Sequence, residues 1–331
     1  MNPYQVTRLK PFFPPQLGIA GSDNSLGLRT TPVGIVLYVD DSHADAKDAH
    51  DGTDPEHPKA TVQSAIGSAF LVENSLIIIG GATTLTESVI IPNSAPEQCT
   101  IMGFGNEQWG PTWASGAADE DALTIRQSGW TIANIRFLPN TAASGILLEH
   151  DGGATTNSDR TRIINCDFDA MWSGLYGIHG TGSPDQVFIE GCRFHEFDSG
   201  GAANNAAAIL LGLTAFASPY LWVIRNNIFQ DNDRHIAQPD ALRGGNGCLI
   251  EGNRFMGPVN QANGTAVYID MRGGTLGLNT VTGNYFAGDY SNAGGYWANA
   301  AAPGSWVGNV ADDILEPEVS ASGFTVAVPA A

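Results

Sequence analysis

The feature that most constrains this sequence is an eight-residue phrase that occurs six times between Trp130 and Phe286. Each copy resembles a short strand and ends in Phe. The copies are WTIANIRF (130–137), TRIINCDF (161–168), VFIEGCRF (187–194), WVIRNNIF (222–229), CLIEGNRF (248–255) and NTVTGNYF (279–286). The steps between successive Phe residues are 31, 26, 35, 26 and 31 residues. Repetition at such a period is typical of a solenoid, in which each coil packs mainly against its neighbours.

The pattern within the repeats indicates strands rather than helices. Polar and apolar residues alternate with a period of two, and β-branched and aromatic residues are frequent. Further short apolar runs lie between the phrases, such as GILLEH (145–150) and AVYIDM (266–271), and they lack a helical period. Several short strands per coil, each stacked on its equivalent in the next coil, predict a parallel β-helix. A degenerate seventh copy, SWVGNVA, has Ala311 where the Phe would fall.

Stacking of equivalent positions predicts two columns of side chains inside the solenoid. Coils lie about 4.8 Å apart, so the six Phe should form an aromatic stack. The position two residues before the Phe is Asn in the later copies, and these amides should hydrogen-bond along the column. This predicted ladder consists of Asn227, Asn253, Asn284 and Asn309. Cys166 and Cys192 hold the same position in earlier copies; parallel Cβ vectors disfavour a bridge, so we expect buried, reduced thiols.

The charge balance and the hydrophobicity pattern exclude several classes of function. The chain has 331 residues with 34 acidic and 15 basic side chains, which gives a net charge of −19. Such a charge disfavours binding to nucleic acid or to an anionic membrane surface. No run approaches the roughly 18 apolar residues of a membrane span, and MNPYQVTRLKPFF lacks the apolar core of a signal peptide. We therefore expect a soluble chain without a secretion signal.

The region before the repeats supplies a second constraint. Strand-like GIVLYVDD (34–41) precedes DGTDPEHPKATVQSAI (51–66), and apolar residues recur at helical spacing from Lys59 to Phe70. This YVD…DGT-P--P-AT---AI pattern resembles the N-terminal motif of the pectin-lyase-like β-helix proteins. The resemblance implies a right-handed parallel β-helix whose N-terminal end is covered by the helix. It also implies kinship with β-helix proteins encoded by tailed phages, including virion-associated and tailspike-like proteins.

We therefore predict an all-β fold, namely a single right-handed parallel β-helix of about nine coils over residues 34–311, with a capping helix near 59–70. Residues 312–331 should form a C-terminal tail or capping strand. Residues 1–33 are rich in proline, which favours an extended path and opposes a helix. They form a predicted docking arm, whose apolar and basic side chains should bind a partner. These side chains are Arg8, Lys10, Phe12, Phe13, Leu17 and Ile19.

The loop after the first predicted strand combines acidic residues with histidines. Its members are His43, Asp45, Asp48, His50, Asp51, Asp54, Glu56 and His57. The spacing of Asp48, Asp51 and Asp54 partly matches a calcium loop, but the EF-hand spacing and its final Glu are missing. Aspartates before Gly and Pro more often form turns and helix caps. We favour structural roles and expect no cofactor, with a structural Ca²⁺ ion as the alternative.

Polar side chains follow the Phe in three consecutive repeats and form the candidate active site if the protein is an enzyme. The candidates are Glu196, Asp198, Asp231, Asp233 and His235, with Asp169, Trp172 and His195 beside them. Alignment on the Phe places Glu196 next to Asp231, and Asp198 next to Asp233, about 5 Å apart on adjacent coils. Close carboxylates favour a shared proton or an intervening cation, which suits sugar hydrolysis or calcium-assisted lyase chemistry. Tyr176, His179 and Trp222 are candidates for a sugar-stacking face.

The alternative interpretation is that these polar residues form solvated turns. The residue sets that mark polygalacturonases and pectate lyases are both absent, so no catalytic residue is favoured. Three hypotheses remain: a virion structural protein, specifically a capsid-associated head-decoration protein attached through its arm; a tailspike-like polysaccharide lyase or glycoside hydrolase; and a noncatalytic glycan-binding module. The first is favoured. It implies capsid or other virion proteins as partners, surface glycans as further ligands, and a homotrimer at the particle surface.

Overall fold

The structure is a computed structural model, and it describes eleven stretches of the chain. They are residues 34–80, 84–105, 110–150, 156–198, 206–211, 219–238, 247–257, 267–270, 279–287, 297–298 and 305–311. The predicted docking arm (1–33) and the predicted C-terminal tail (312–331) lie outside the described residues. Both remain predictions.

The described residues form three sheets, numbered here by strand order along the chain. Sheet 1 has ten strands: β1 (Val36–Val39), β2 (Leu76–Ile79), β5 (Thr100–Gly103), β8 (Thr131–Ala133), β11 (Arg162–Ile164), β14 (Phe188–Glu190), β17 (Val223–Arg225), β20 (Leu249–Glu251), β23 (Thr280–Thr282) and β26 (Ser305–Val307). Sheet 2 has nine: β3 (Leu85–Thr86), β6 (Thr112–Ala114), β9 (Arg136–Leu138), β12 (Asp167–Asp169), β15 (Arg193–His195), β18 (Ile228–Gln230), β21 (Arg254–Met256), β24 (Tyr285–Ala287) and β27 (Val310–Ala311). Sheet 3 has eight: β4 (Val89–Ile91), β7 (Leu123–Ile125), β10 (Ser144–Glu149), β13 (Tyr176–Thr181), β16 (Ala207–Leu210), β19 (Arg234–Ala237), β22 (Val267–Asp270) and β25 (Trp297–Ala298).

Neighbouring strands in the three sheets run parallel, and from β2 onward successive strands of the chain belong to different sheets. For example β8, β9 and β10 lie in sheets 1, 2 and 3, and each pairs with the strand three places further along. The register aligns the repeats on their Phe, so that Phe168 is the partner of both Phe137 and Phe194. The prediction of an all-β parallel β-helix is therefore confirmed.

The aromatic stack forms and is longer than the repeats predicted. The six Phe side chains are fully buried, and their successive ring centroids are 4.7–5.2 Å apart with interplanar angles of 4–16°. Trp113 extends the stack by one coil, with its ring 5.5 Å from that of Phe137. The irregular sequence around Trp113 gave no signal of this position, because its strand, β6, does not follow a copy of the repeated phrase.

The Asn side chains form a continuous hydrogen-bonded ladder in the core. The amide nitrogens of Asn227, Asn253 and Asn284 each donate to the side-chain oxygen of the next Asn, at 2.9–3.0 Å. The same oxygens also accept from the main-chain nitrogens one coil earlier, at 2.9–3.0 Å. The second amide hydrogens are directed to main-chain carbonyls, such as that of Ile224. The column therefore joins four coils through both side chains and backbone.

A left-handed corner residue separates sheet 1 from sheet 2 in each repeat. The residue three places before the Phe has a φ of 53–68°. Asn and Gly are the residue types that adopt this conformation at least cost. The position is occupied by Asn134, Asn165, Gly191, Asn226, Gly252, Gly283 and Gly308. The repeated Asn or Gly of the phrase therefore encodes the turn of each coil.

A helix is present where the capping helix was predicted, but it is shorter than its apolar pattern suggested, and its role as a cap of the β-helix stays a prediction. Helix α1 spans Val62–Ile66, and Thr61 caps it by accepting a hydrogen bond from the main-chain nitrogen of Ser64 at 3.2 Å. The Glu87 carboxylate accepts a second N-terminal hydrogen bond, from the main-chain nitrogen of Val62 at 2.7 Å. The buried side chains of α1 join the core, and the helix contacts β1 and β4.

All four cysteines are buried free thiols, as expected. Cys192 is fully enclosed, and burial together with the neighbouring Cys166 raises the pKa of its thiol well above the usual value. Over the described part of the chain, no helix has the length and apolarity needed to cross a bilayer.

Candidate functional site

The outer face of sheet 2 carries an unusual concentration of ionisable side chains. Because each Phe points into the core, the residues on either side of it point outward. Asp167 and Asp169 flank Phe168, and His195 follows Phe194, yet all three side chains are less than a tenth exposed. Arg136 and Glu196 lie beside them and are 41% and 30% exposed. We call these five residues the acidic–histidine cluster.

His195 lies between the carboxylates of this cluster. Its Nε2 atom is 3.3 Å from Oδ1 of Asp167, and its Nδ1 atom is 3.6 Å from Oδ1 of Asp169. The same Nδ1 atom is 4.0 Å from Oε1 of Glu196. Both ring nitrogens therefore face acidic oxygens.

Arg136 joins the two aspartates from the preceding coil. Its Nε atom is 3.5 Å from Oδ2 of Asp167, and a terminal guanidinium nitrogen is in close contact with Oδ2 of Asp169. Arg193 is the register partner of Asp167, but its guanidinium donates to Gln230 on the following coil at 3.3 Å. Among the described ion pairs, Arg136 is therefore the one arginine or lysine that pairs with carboxylates of the cluster.

Several polar atoms of the cluster are buried without a well-aligned hydrogen bond to another described residue. They are Oδ1 of Asp167, Nε2 of His195 and Nε of Arg136. A buried polar group without a partner costs about 1–3 kcal/mol. Such groups in a folded protein usually indicate a water molecule, an ion or a functional role.

The turns next to the cluster have unfavourable backbone conformations. Met171, Trp172 and Glu196 have φ values of 48°, 63° and 65°, a region that side chains of this size seldom adopt. The turns are fixed by hydrogen bonds from the main-chain nitrogen of Met171 to Asp169 at 3.0 Å, and from that of Trp172 to the Glu196 carbonyl at 3.1 Å. The Trp172 side chain is 45% exposed. Backbone strain of this kind is frequently found at binding sites.

Of the five sequence-predicted residues, the structure leaves Glu196, Asp198 and Asp231 partly exposed and buries Asp233 and His235. Glu196 belongs to the cluster, and Asp231 has the equivalent turn position one coil later, with a φ of 56° and a hydrogen bond from Gln230 at 2.9 Å. Asp198 is partly exposed and lies three residues after the end of β15. Asp233 is buried, and its main-chain nitrogen donates to the Phe197 carbonyl at 2.7 Å.

His235 is a core residue and has no access to a substrate. It is 1% exposed, and its ring lies 5.7 Å and 5.4 Å from the rings of Phe229 and Phe255. Burial lowers the pKa of His235 to about 3, so it stays neutral. The expected role of His235 as an acid or base is therefore incompatible with its position in β19.

The prediction that Tyr176, His179 and Trp222 form an accessible sugar-stacking face is also wrong. Trp222 is fully buried, and its indole nitrogen donates to the Pro184 carbonyl at 2.6 Å. Tyr176 is buried in sheet 3 beside His179, with ring centroids 5.0 Å apart. Burial lowers the pKa of His179 to about 4. Tyr176 and Trp222 are therefore structural, and among the described residues Trp172 has the exposed aromatic side chain near the acidic residues.

Sequence reasoning missed Arg136 and Asp167. Both precede a Phe, where the alternation of the strand predicts an outward, solvated side chain. The available signal was the column of residues before the Phe, in which Arg136, Asp167 and Arg193 alternate in charge on consecutive coils. Opposite charges on paired strands stabilise each other, so this column could have indicated an ion-pair network.

The loop after β1 contains aspartates that mainly hold turns. Asp48, Asp51 and Asp54 accept hydrogen bonds from the main-chain nitrogens of Thr61, Thr53 and Glu56, at 2.8–3.0 Å. These bonds agree with the structural roles expected for the loop.

The same loop contains a second group of residues with metal-ligand side chains, namely Asp45, His50 and His57. Asp45 bonds Lys47 at 2.6 Å and Nδ1 of His57 at 2.7 Å, and these bonds lower the pKa of Asp45 to about 2. A shallow cavity of about 410 Å³ adjoins the group, next to Lys59.

Comparison with known proteins identifies the architecture. The family described as "Right handed beta helix region" matches residues 121–301, which is more than half of the chain. The comparison with curated proteins found no match.

Several solved structures are similar over most of the chain. The alginate lyase AlyGC of family PL6 shares 14% identity with a TM-score of 0.41, and the match covers 82% of this chain but only 41% of AlyGC. Pectate lyase Pel9A shares 12% identity over 89% of this chain and 83% of its own, with a TM-score of 0.40. The tailspike protein of E. coli bacteriophage HK620 shares 15% identity over 87% of this chain and 61% of its own, with a TM-score of 0.37.

Proposed function

The chain belongs to the right-handed β-helix family, and we propose that it is a glycan-binding protein that uses the outer face of sheet 2. The observation that carries this proposal is the acidic–histidine cluster beside the exposed Trp172, in turns with strained backbone. An exposed indole offers a flat apolar surface to the apolar face of a sugar ring. Carboxylate and guanidinium groups next to it supply acceptors and donors for sugar hydroxyls.

The exposure of the cluster indicates which groups would reach a ligand. Glu196 and Arg136 are 30% and 41% exposed, whereas Asp167 and Asp169 are almost fully covered. We assign ligand contact to Glu196, Arg136 and Trp172. The buried aspartates hold Arg136 and His195 in place, which preorganises the exposed groups.

The net charge favours a neutral glycan. With −19 overall, the chain repels polyanionic polysaccharides at long range. A hydroxyl-rich neutral polymer avoids this repulsion and can still use the carboxylates as acceptors. If the bound glycan is cleaved, Glu196 is the exposed carboxylate best placed to transfer a proton, and Asp231 is the next carboxylate along the helix axis.

Affinity electrophoresis tests this proposal with dextran and a neutral bacterial O-antigen as probes, and with alginate as an acidic comparison. We expect retardation by a neutral polymer, and Trp172→Ala should weaken it at least about tenfold, the effect of losing roughly 1.4 kcal/mol. Tyr220→Ala is the matched control, because Tyr220 is a similarly exposed aromatic residue, at 43%, outside the cluster.

The outcomes separate binding from catalysis. Reducing ends released by the parent and abolished by Glu196→Gln or Asp231→Asn would make the protein a hydrolase, and unsaturated products would make it a lyase. Equal retardation of the parent and Trp172→Ala on every polymer, or loss in Tyr220→Ala alone, would refute the assignment of the surface.

The second candidate function is a capsid-associated head-decoration protein attached through its arm. The supporting observation is the sequence of residues 1–33, in which Phe12 and Phe13 stand near Arg8 and Lys10 in a proline-rich context on an otherwise acidic chain. Burying two Phe side chains contributes about 3–6 kcal/mol. The same contact would hold the expected homotrimer or a phage particle.

Deletion of residues 2–20 tests this second candidate. We expect the β-helix to stay folded, while particle occupancy or oligomeric mass falls. Mass spectrometry of purified particles and light scattering of the free protein provide the two measurements. Equal occupancy and equal mass before and after the deletion would show that the arm is only a tail.

A further inference from the structure

Three ligand-type atoms of the acidic–histidine cluster converge on one point. Asp169, His195 and Glu196 each offer one atom, and these atoms lie within 4.8 Å of one another. The distances from Nδ1 of His195 to the carboxylate oxygens of Asp169 and Glu196 are 3.6 Å and 4.0 Å. Ligand atoms about 2.0–2.2 Å from a tetrahedral ion are ~3.3–3.6 Å apart. The distance between His195 and Asp169 already has this spacing, and the Glu196 oxygen lies within 4.8 Å of both ligand atoms.

The residues behind this point have the arrangement that supports a metal-bound histidine. A histidine that binds a metal through one ring nitrogen usually donates the hydrogen of the other to a carboxylate. Nε2 of His195 faces Oδ1 of Asp167 at 3.3 Å, on the side of the ring opposite to Asp169 and Glu196. Asp167 would therefore hold the hydrogen on Nε2 and leave the Nδ1 lone pair directed at the ion.

The two atoms behind the convergence point are buried and face each other without an aligned hydrogen bond. Oδ1 of Asp167 and Nε2 of His195 are buried on side chains that are 2% and 8% exposed, and neither has an aligned hydrogen bond to another described residue. An ion at Nδ1 would fix the ring and its tautomer, so that Nε2–H donates to Asp167.

The formal charge of the cluster also calls for a cation. Three acidic side chains, those of Asp167, Asp169 and Glu196, stand against one guanidinium, that of Arg136, so the formal charges of these four side chains sum to −2. Uncompensated charge in a desolvated position is unfavourable. A single divalent ion balances it.

We propose that Asp169, His195 and Glu196 bind one divalent transition metal ion of the Zn²⁺ class, with Asp167 and Arg136 orienting its ligands. An imidazole ligand favours Zn²⁺ and related ions over Ca²⁺ and Mg²⁺, which prefer oxygen ligands. Three protein ligands leave the fourth position of a tetrahedral ion open. The partial exposure of Glu196 directs that position toward solvent. The link to glycan binding through a sugar hydroxyl at this position rests on the proposed function, whereas the metal site does not.

Metal binding to the full-length protein is measured by calorimetry with Zn²⁺ and by the visible absorption of Co²⁺. The background variant is His57→Gln, which removes the second metal-ligand group near Asp45. We expect one Zn²⁺ per chain, little or no Ca²⁺ binding, and a Co²⁺ spectrum of a low-coordinate site. X-ray absorption of the zinc form should show one imidazole nitrogen and carboxylate oxygens.

Variants of the cluster then locate the ion. Glu196→Gln, which keeps the size of a partly exposed side chain, should weaken Zn²⁺ binding at least about tenfold, because it removes a charged ligand. Asp167→Asn should weaken it by about 10–100-fold, as changes behind a metal ligand typically do. Asp231→Asn is the matched control, since it changes a carboxylate at the same turn position one coil later, and it should bind as the parent does.

Each outcome decides the proposal. No Zn²⁺ bound in the His57→Gln background, or equal affinity in Glu196→Gln and Asp231→Asn, would overturn it. If Asp167→Asn does not fold, the Glu196→Gln comparison and the absorption spectrum of the parent still decide. Metal binding without retardation by any glycan would retain the metal site and reject the proposed function, and retardation without metal binding would do the reverse.

Discussion

Replacing Asn253 with Leu should destabilise the β-helix by about 2–6 kcal/mol, although the two side chains are similar in size. The Oδ1 atom of Asn253 accepts hydrogen bonds from the main-chain nitrogen of Asn227 at 2.9 Å and from its side-chain nitrogen at 3.0 Å. The Nδ2 atom of Asn253 donates to the Ile224 carbonyl at 2.9 Å and to the Asn284 side chain at 3.0 Å. Leu removes all four bonds.

The magnitude follows from the groups that are left behind. Two donors of Asn227 lose their acceptor in a region where Asn227 and Asn253 are 1% and 0% exposed. Each buried donor without a partner costs about 1–3 kcal/mol, which gives the range of about 2–6 kcal/mol. Domains have a total stability of roughly 5–15 kcal/mol. The change therefore removes a large share of it.

Denaturant unfolding followed by tryptophan fluorescence measures the effect. The matched control is Cys166→Val, because Cys166 holds the same column position outside the Asn ladder, and its Sγ atom makes only long thiol contacts with main-chain carbonyls, at 3.4 and 3.8 Å. A substitution of that kind should cost less than about 1.5 kcal/mol. If Asn253→Leu unfolds at the same midpoint and with the same slope as the parent, the ladder does not stabilise the fold and the reasoning is refuted.

Two further predictions concern pH and thiol chemistry. Burial lowers the pKa of His235 from 6.5 to about 3, so only the unfolded chain takes up a proton below about pH 6.5, and stability should fall as the pH drops toward 3. His235→Leu should remove about 3 kcal/mol of this loss at about pH 4.5; an identical pH dependence of urea unfolding would contradict it. Burial raises the pKa of Cys99 to about 11 and that of Cys248 to about 12, so a thiol reagent at about pH 8 should label four cysteines only after denaturation. A disulfide between Cys166 and Cys192 in the native protein would show that this picture is wrong.

The interior of the protein could be predicted from the sequence because a solenoid repeats its constraints. Each Phe must pack on the equivalent Phe of the next coil, so one alignment determines strand register, core and ladder together. The position of Trp113 in the stack could not be predicted in this way, because its coil lacks the repeated phrase. The helix was predicted over residues 59–70 from apolar spacing alone, but it ends at Ile66, where Gly67 follows.

The candidate site was harder to predict, because burial on an outer face depends on the turns that pack over it. The alternation of inward and outward residues along a strand correctly places Asp167 and Asp169 on the outer face of the sheet. It does not indicate that both side chains are almost fully buried there. His235 shows the opposite failure. Its neighbours Asp233 and Arg234 suggested a polar turn, whereas Arg234 and His235 lie in β19 and all three residues are buried.

The coils that carry the acidic–histidine cluster differ from those that carry the Asn ladder. The ladder begins at Asn227, whereas the column holds Cys166 and Cys192 in the coils of the cluster. In those coils the rings of Phe168 and Phe194 are 4.7 Å apart and within 4° of parallel, the closest spacing along the stack. The residues that flank these two Phe include Asp167, Asp169 and His195, and the His195 ring lies between the two aspartate carboxylates. A rigid aromatic register directly beneath the cluster fixes the backbone spacing of its members, and such fixed spacing is what a preorganised binding or metal site requires.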